Sequence, residues 1–157
     1  LWFGWTDPHL IPQEVRQAME QAPENVTFAG FVDRETLREA YCGADVFAFL
    51  SHEETEGIVV LEALACGIPT VVRDIPVYAG WLRDGKNVYK ASSTEMFQQR
   101  VTGLLEHTLP DLTEAGRRVA EERSMAAMGE RLREIYRQMD ILPEAQPAAV
   151  RQHHARA

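Results

Sequence analysis

The sequence predicts an α/β domain: a doubly wound parallel sheet with helices on both faces and further helices at the C-terminal end. Three observations predict it. The 157 residues are 45% hydrophobic and 25% charged, as in ordinary globular domains. Short apolar runs alternate with longer amphipathic segments along most of the chain, and after Pro110 the pattern becomes purely helical. Strand–helix alternation of this kind favours parallel strands joined by right-handed crossovers.

The strands are predicted from five short apolar runs. These runs are rich in Val, Phe and Tyr, they are bounded by Gly, Asp or Pro, and several are apolar on both faces. Continuous apolar runs with such boundaries are typical of buried parallel strands. The runs are residues 1–4, 26–30, 46–50, 69–73 and 87–90.

The helices between these runs are predicted from their end signals. Asp33 is a good N-cap for the helix that follows it. Residues 58–66 are apolar, good helix formers, and the Gly67 that follows them is a typical C-terminal signal. Ser92 and Glu95 have the spacing of a capping box, which predicts a further helix start.

The C-terminal region carries an apolar helical stripe that we expect to contribute core contacts. Its members recur at spacings of three and four: Met125, Met128, Leu132, Ile135 and Met139. We expect residues 1–140 to form one domain. The segment 141–157 is rich in Pro, Ala, Gln and His, which predicts a disordered tail.

The charge balance excludes several functions. The formal net charge is −8, which argues against nucleic acid as a partner because phosphate-backbone binding needs clustered Lys and Arg. The five histidines show no metal-ligand spacing beyond an adjacent pair in the tail, so no metal site is predicted. No apolar run approaches the ~18 residues that a membrane-spanning helix needs.

The segment 51–67 is the predicted ligand site because it follows the strand at 46–50, and ligands bind off the carboxyl ends of parallel strands. Gly57 lets the backbone approach a ligand, and the helix after it offers amides and a positive dipole end to a diphosphate. Glu62 lies ~7 Å further along the axis at ~1.5 Å per residue, near a phosphate-to-ribose separation. Its carboxylate matches a vicinal diol. Glu54 would project from the loop toward a sugar.

A simpler interpretation of this segment stays open. Glu53, Glu54 and Glu56 could form a solvated acidic surface with no ligand. Glu62 fits that interpretation poorly, because it lies within an apolar helix between Leu61 and Ala63. Pattern alone leaves both interpretations in place.

The motifs resemble those of a known superfamily. Glu54 and Glu62 have the E-x7-E spacing of the retaining, family 4-like glycosyltransferases with a GT-B fold, which use nucleotide sugars. Residues 61–69 look like that superfamily's helix and its Gly/Pro exit, 28–32 like the strand and loop under the nucleobase, and 44–47 like the next strand. These blocks agree in order and spacing over about residues 1 to 139. The resemblance implies the C-terminal, donor-binding half of a GT-B fold.

A narrower resemblance concerns the lipid subfamily. Residues 53–64, 72–78, 81–82 and 87–91 are similar to bacterial 1,2-diacylglycerol 3-glucosyltransferases. Those enzymes transfer glucose from UDP-glucose to the 3-hydroxyl of diacylglycerol at the membrane face. The resemblance implies a hexosyltransferase that is cytoplasmic and peripheral at the inner membrane face in its full-length form. It also implies that an N-terminal acceptor domain, a partner of this half, is missing from the chain.

The resemblance also implies a role for each site residue. Glu54, the catalytic residue, would bind the hydroxyls of the donor sugar, and Glu62 the ribose. The family's Gly-Phe-Gly between the two glutamates is Thr55-Glu56-Gly57 here, as in the lipid subfamily. The remaining donor contacts are the backbone of Gly57, Ile58 and Val59 at the phosphates, the backbone of Phe31 and Val32 beside the uracil, and Thr55 and Glu56 in the loop. No tightly bound cofactor is implied beyond the UDP-sugar substrate, and Mg²⁺ is not indicated.

The expected mechanism is front-face attack through an oxocarbenium-like state assisted by the departing UDP. The protein would then act by positioning and by stabilising diphosphate charge. Family members clamp the diphosphate with an Arg and a Lys near the start of this domain, which this chain lacks. We therefore expect the chain alone to bind UDP weakly and to catalyse no transfer. The alternatives are an enzyme of the same fold with a polysaccharide or other acceptor, and a nucleotide-binding module without transferase activity.

Overall fold

The structure is a computed structural model that describes residues 1–7 and 9–139. The predicted tail, 141–157, lies outside the described residues. In chain order the elements are β1 (Trp2–Phe3), α1 (Gln13–Glu20), β2 (Phe28–Gly30), α2 (Arg34–Gly43), β3 (Phe47–Phe49), α3 (Ile58–Cys66), β4 (Thr70–Arg73), a 3-10 turn (Pro76–Tyr78), β5 (Tyr89–Ala91), α4 (Thr94–Leu105), α5 (Thr113–Glu122) and α6 (Met125–Gln138).

Each of the five predicted strands forms, and every pairing between them is parallel. The described strands pair as two sheets, with β1 beside β2 and with the order β3–β4–β5. In the larger sheet Phe47 is opposite Thr70, and Val71 is opposite Tyr89. The predicted parallel α/β architecture is therefore confirmed. Among residues 1–7 and 9–139, no strand pairing connects β1 or β2 to β3.

The helix ends follow local signals, with one correction. The side chain of Asp33 accepts a hydrogen bond from the Thr36 amide at 2.9 Å and caps α2 as predicted. The N-cap of α4 is Ser93, not Ser92, and Ser93 Oγ accepts from the Met96 amide at 3.2 Å. Ser93 has the extended backbone that an N-cap needs, so the capping-box prediction was wrong by one residue.

The core lies in the second sheet and its helices. Val60, Leu64 and Tyr78 form one buried cluster with their neighbours, and a second cluster surrounds Val71 beneath α4. Helix α3 packs closely on α5, where a Cβ added at Gly116 would lie 2.7 Å from Leu64 Cδ2. This packing holds α3 firmly against the sheet.

The predicted core role of the C-terminal apolar stripe was wrong for the described residues. The stripe lies on α6 as expected, but its side chains are exposed: Met125 by 89%, Met128 by 48%, Leu132 by 49%, Ile135 by 50% and Met139 by 62%. Helical periodicity places residues on one face but does not supply the partner that buries them. None of the described helices is long and apolar enough to traverse a bilayer.

Candidate functional site

The predicted ligand segment lies at the carboxyl edge of the larger sheet. The loop from Leu50 to Gly57 leaves the end of β3 and enters α3. Arg73, the last residue of β4, donates from Nε to the Leu50 carbonyl at 3.0 Å. That hydrogen bond joins β4 to the start of the loop and places the Arg73 guanidinium at the carboxyl edge of the sheet.

Both the backbone conformation at residue 57 and the lack of room for a side chain there require glycine. Its φ of 74° and ψ of 39° lie in the left-handed region, which favours glycine. A Cβ at this position would lie 2.8 Å from Cε1 of Tyr78. The backbone at the start of α3 therefore touches an aromatic ring that a larger residue would displace.

The N-terminus of α3 presents amides that the helix itself does not use. Within the described part of the chain, the amides of Ile58 and Val59 have no hydrogen-bond acceptor, as is usual for the first turn of a helix. Ile58 is 57% exposed, so this end of the helix is not covered by packed side chains. The arrangement is that of an anion site.

Glu54 takes a different direction from the one expected. Its Oε2 accepts a hydrogen bond from the Gly57 amide at 3.0 Å, so the carboxylate turns back onto the helix end and does not project outward from the loop. A carboxylate at a helix N-terminus satisfies an amide and complements the positive dipole end. In this structure an anionic group of the chain itself thus occupies the predicted phosphate position.

Glu62 lies one turn into α3, half-buried beside α2. The Tyr41 hydroxyl donates to Glu62 Oε2 at 3.3 Å. Burial, and then the negative charge of Glu62, raise the pKa of Tyr41, so its hydroxyl remains a neutral donor. The Tyr41 ring packs edge-on against Phe47 at a centroid distance of 5.6 Å. Glu62 is therefore held on the α2 side of the helix, whereas Glu54 lies on the Tyr78 side.

Tyr78 lies beneath the start of α3 and is fully buried. Among the described residues, its hydroxyl is the only buried side-chain polar atom without a hydrogen-bond partner. Burial and the charge of Glu54 raise the pKa of Tyr78 to about 12. A neutral, unpartnered hydroxyl thus faces the segment in which Glu54 and Gly57 meet.

The other predicted site residues lie around this centre. Phe31 is 85% exposed and Val32 is half-buried, both in the loop between β2 and α2. No hydrogen bond or ring contact of the described residues joins either of them to α3. Thr55 and Glu56 are exposed on the β3–α3 loop. The structure thus groups 54–62 in one place but does not connect the predicted base-binding pair to it.

Sequence reasoning missed the two tyrosines that contact this site. Tyr41 shares the half-buried face of α2 with Leu37 and Ala40, and this spacing could have indicated a hydroxyl directed at the next helix. Tyr78 follows β4 by a few residues, where side chains reach the carboxyl edge. No group of three or more His, Cys, Asp or Glu side chains within residues 1–7 and 9–139 could hold a metal ion.

The fold is similar to that of solved glycosyltransferase structures. The structure of Anabaena HepE in complex with UDP-glucose aligns with a TM-score of 0.69 at 18% identity, covering 87% of this chain and 40% of that one. At this identity the likeness shows the fold, and it confirms the prediction of a GT-B-type α/β half.

Two curated relatives have names that refer to diacylglycerol. The processive diacylglycerol alpha-glucosyltransferase of Acholeplasma laidlawii is 35% identical over 139 residues, which cover 88% of this chain and 42% of that protein. The alpha-galactosylglucosyldiacylglycerol synthase of Streptococcus pneumoniae is 30% identical over 126 residues, covering 77% and 32% respectively. The chain therefore spans less than half the length of these relatives.

The family itself follows from a match over most of the chain. Residues 14–123 match the family described as glycosyl transferases group 1. That range contains the β3–α3 loop, both glutamates and both tyrosines of the site. The chain therefore belongs to the group 1 glycosyl transferases.

Proposed function

We propose that this chain is the donor-binding half of a retaining glycosyltransferase that transfers a hexose, glucose from UDP-glucose, to a lipid acceptor such as diacylglycerol. The observation that carries the proposal is the N-terminus of α3. There Gly57 and the unpaired amides of Ile58 and Val59 lie between Glu54 and Glu62.

The amides of Gly57, Ile58 and Val59 bind the diphosphate. Those of Ile58 and Val59 are unpaired donors of the helix, and that of Gly57 is released when the Glu54 carboxylate moves away. Glu62 accepts hydrogen bonds from the ribose diol, with Tyr41 holding its carboxylate. The backbone of Phe31 and Val32 flanks the uracil, and Thr55 and Glu56 complete the loop around the donor.

Glu54 binds the hydroxyls of the donor sugar. To do so, its carboxylate leaves the Gly57 amide, and a phosphate oxygen takes its place there. The exchange replaces one anionic acceptor with another, so the helix end remains satisfied throughout.

The bond between the anomeric carbon and the phosphate oxygen breaks as the acceptor hydroxyl attacks from the same face. The departing diphosphate takes the proton of that hydroxyl. The helix amides stabilise the negative charge that develops on the leaving group. Support for retention comes from the name of the Acholeplasma relative, an alpha-glucosyltransferase, because an α-linked product preserves the configuration of UDP-glucose.

The lipid acceptor and a peripheral position at the cytoplasmic membrane face rest on the two glycolipid relatives. Acceptor binding belongs to the companion half of the enzyme, so this chain alone transfers nothing. Transfer of glucose from UDP-glucose to diacylglycerol vesicles by this chain alone would contradict that division of labour.

The donor site is tested by calorimetry with UDP on the wild-type chain and Glu62→Gln. Loss of the charged acceptor should weaken UDP binding roughly tenfold or more, since hydrogen bonds to charged groups contribute ~1.5–3 kcal/mol. Glu114→Gln is the matched control, because Glu114 forms an exposed pair with Arg118 on α5. Equal UDP affinity of wild type and Glu62→Gln would remove Glu62 from the ribose.

A further inference from the structure

The hydroxyl of Tyr78 is out of place in an apolar core. The residue is fully buried among Val60, Leu64 and Leu82, and its Oη has no hydrogen-bond partner in the described part of the chain. Buried polar groups nearly always find a partner, because an unpaired one loses its hydration without compensation. A phenylalanine would fill the same space without that penalty.

Two other aromatic residues of the core have hydrogen-bond partners for their polar atoms. Tyr89 donates its hydroxyl to the Pro110 carbonyl at 2.9 Å. Trp81 donates Nε1 to the Val77 carbonyl at 2.9 Å. Tyr78 lies beside Trp81 in an edge-on contact, so its unpaired state does not reflect a loosely packed region.

The Tyr78 hydroxyl lies close to the start of α3. A Cβ built on Gly57 would lie 2.8 Å from Tyr78 Cε1 and 3.4 Å from its Oη. The Gly57 amide is the group that donates to Glu54 Oε2 at 3.0 Å. A buried donor, a backbone amide and an internal carboxylate therefore lie near one another at the start of α3, where the donor phosphate is proposed to bind.

We infer that Tyr78 is a ligand-contacting residue whose hydroxyl donates a hydrogen bond to the phosphate oxygen that replaces the Glu54 carboxylate at the Gly57 amide. The inference rests on the proposed function and extends it to a residue outside the E-x7-E motif. The phosphate oxygen has several lone pairs and accepts from the amide and the hydroxyl together. Thr55 and Glu56 are exposed, so the loop can carry Glu54 away without unpacking the core.

If Tyr78 contacts the phosphate, Tyr78→Phe should weaken UDP binding without lowering the thermal stability of the chain. The substitution keeps the buried ring and removes an unpaired polar atom, so we expect the melting temperature to stay the same or to rise. The affinity for UDP should fall about tenfold, as for loss of a hydrogen bond to a charged group. Uridine, which has no phosphate, should bind both proteins equally in an NMR titration.

The matched control is Tyr89→Phe, which removes a hydroxyl that is paired with the Pro110 carbonyl and belongs to the other core cluster. It should lower the melting temperature and leave UDP affinity unchanged. Equal UDP affinity of Tyr78→Phe and a wild-type chain that does bind UDP would overturn the inference alone. So would an equal loss of UDP affinity in Tyr89→Phe, or a loss of uridine affinity in Tyr78→Phe. Failure of the wild-type chain to bind UDP would overturn the proposed function and this inference together.

Discussion

The chain divides into two regions that differ in packing. In the described residues before Gly57 no residue is fully buried, and Trp2, Trp5 and Phe31 are 64%, 69% and 85% exposed. Within residues 1–7 and 9–139, all buried residues lie between Gly57 and Ala120. Both regions contain parallel strands and amphipathic helices, so secondary structure alone does not produce a core. Burial requires a second surface of matching shape, which α5 provides for α3.

The candidate site lies on the boundary between these regions. Gly57, α3 and Tyr78 belong to the packed part, whereas Glu54, Phe31 and Val32 belong to the loosely packed part. Segments with few buried contacts open at lower free-energy cost. Under the proposed function, the packed region would hold the phosphates and the other region would adjust around the base and the sugar.

The largest expected effect is on the free energy of unfolding, when a leucine of the packed region and one of the loosely packed region are each changed to alanine. Leu64 is 2% exposed between α3 and α5, and Leu10 is 75% exposed. Leu64→Ala should lower the free energy of unfolding by ~2–5 kcal/mol, because it removes buried methyl groups and leaves a cavity. Leu10→Ala should change it by less than about 0.5 kcal/mol. Similar losses in urea denaturation would show that both regions contribute equally to the core.

The next largest expected effect on stability comes from changing each of two glycines to alanine. Gly57 and Gly30 both have positive φ, but a Cβ meets Tyr78 at Gly57 and nothing within 4 Å at Gly30. Gly30→Ala should therefore cost about 1–2 kcal/mol for backbone strain. Gly57→Ala should cost more and should also weaken UDP binding, because the helix end must shift from Tyr78. Identical denaturation midpoints for the two variants would argue against close contact with Tyr78.

The smallest expected effect concerns the contact between α2 and α3. Tyr41→Phe keeps the ring on Phe47 but removes the donor to Glu62. UDP affinity should fall roughly two- to tenfold, the range for a net hydrogen bond. In the Glu62→Gln background the same change should have little further effect, because the two residues act through one contact. Additive losses in calorimetry would mean that Tyr41 does not act through Glu62. Tyr136→Phe on α6 serves as the control.

Local signals explain the elements that could be predicted. Helix α3 has the predicted bounds because a left-handed glycine lies at each end, Gly57 and Gly67. Asp33 caps α2 through its own side chain. The one-residue error at Ser92 arose because two adjacent serines offer the same chemistry, and only the backbone conformation at Ser93 selects between them.

The amino-acid sequence by itself determined the order of strands and helices, the glycine at the start of α3, and the eight-residue spacing of Glu54 and Glu62 along the chain. These are local properties, set by side-chain periodicity and by end signals a few residues long. Tertiary structure decided that the α6 stripe remains exposed and that Tyr78 lies unpaired beneath Gly57. Each of these depends on which surfaces meet in space, and residues distant along the chain supply those surfaces.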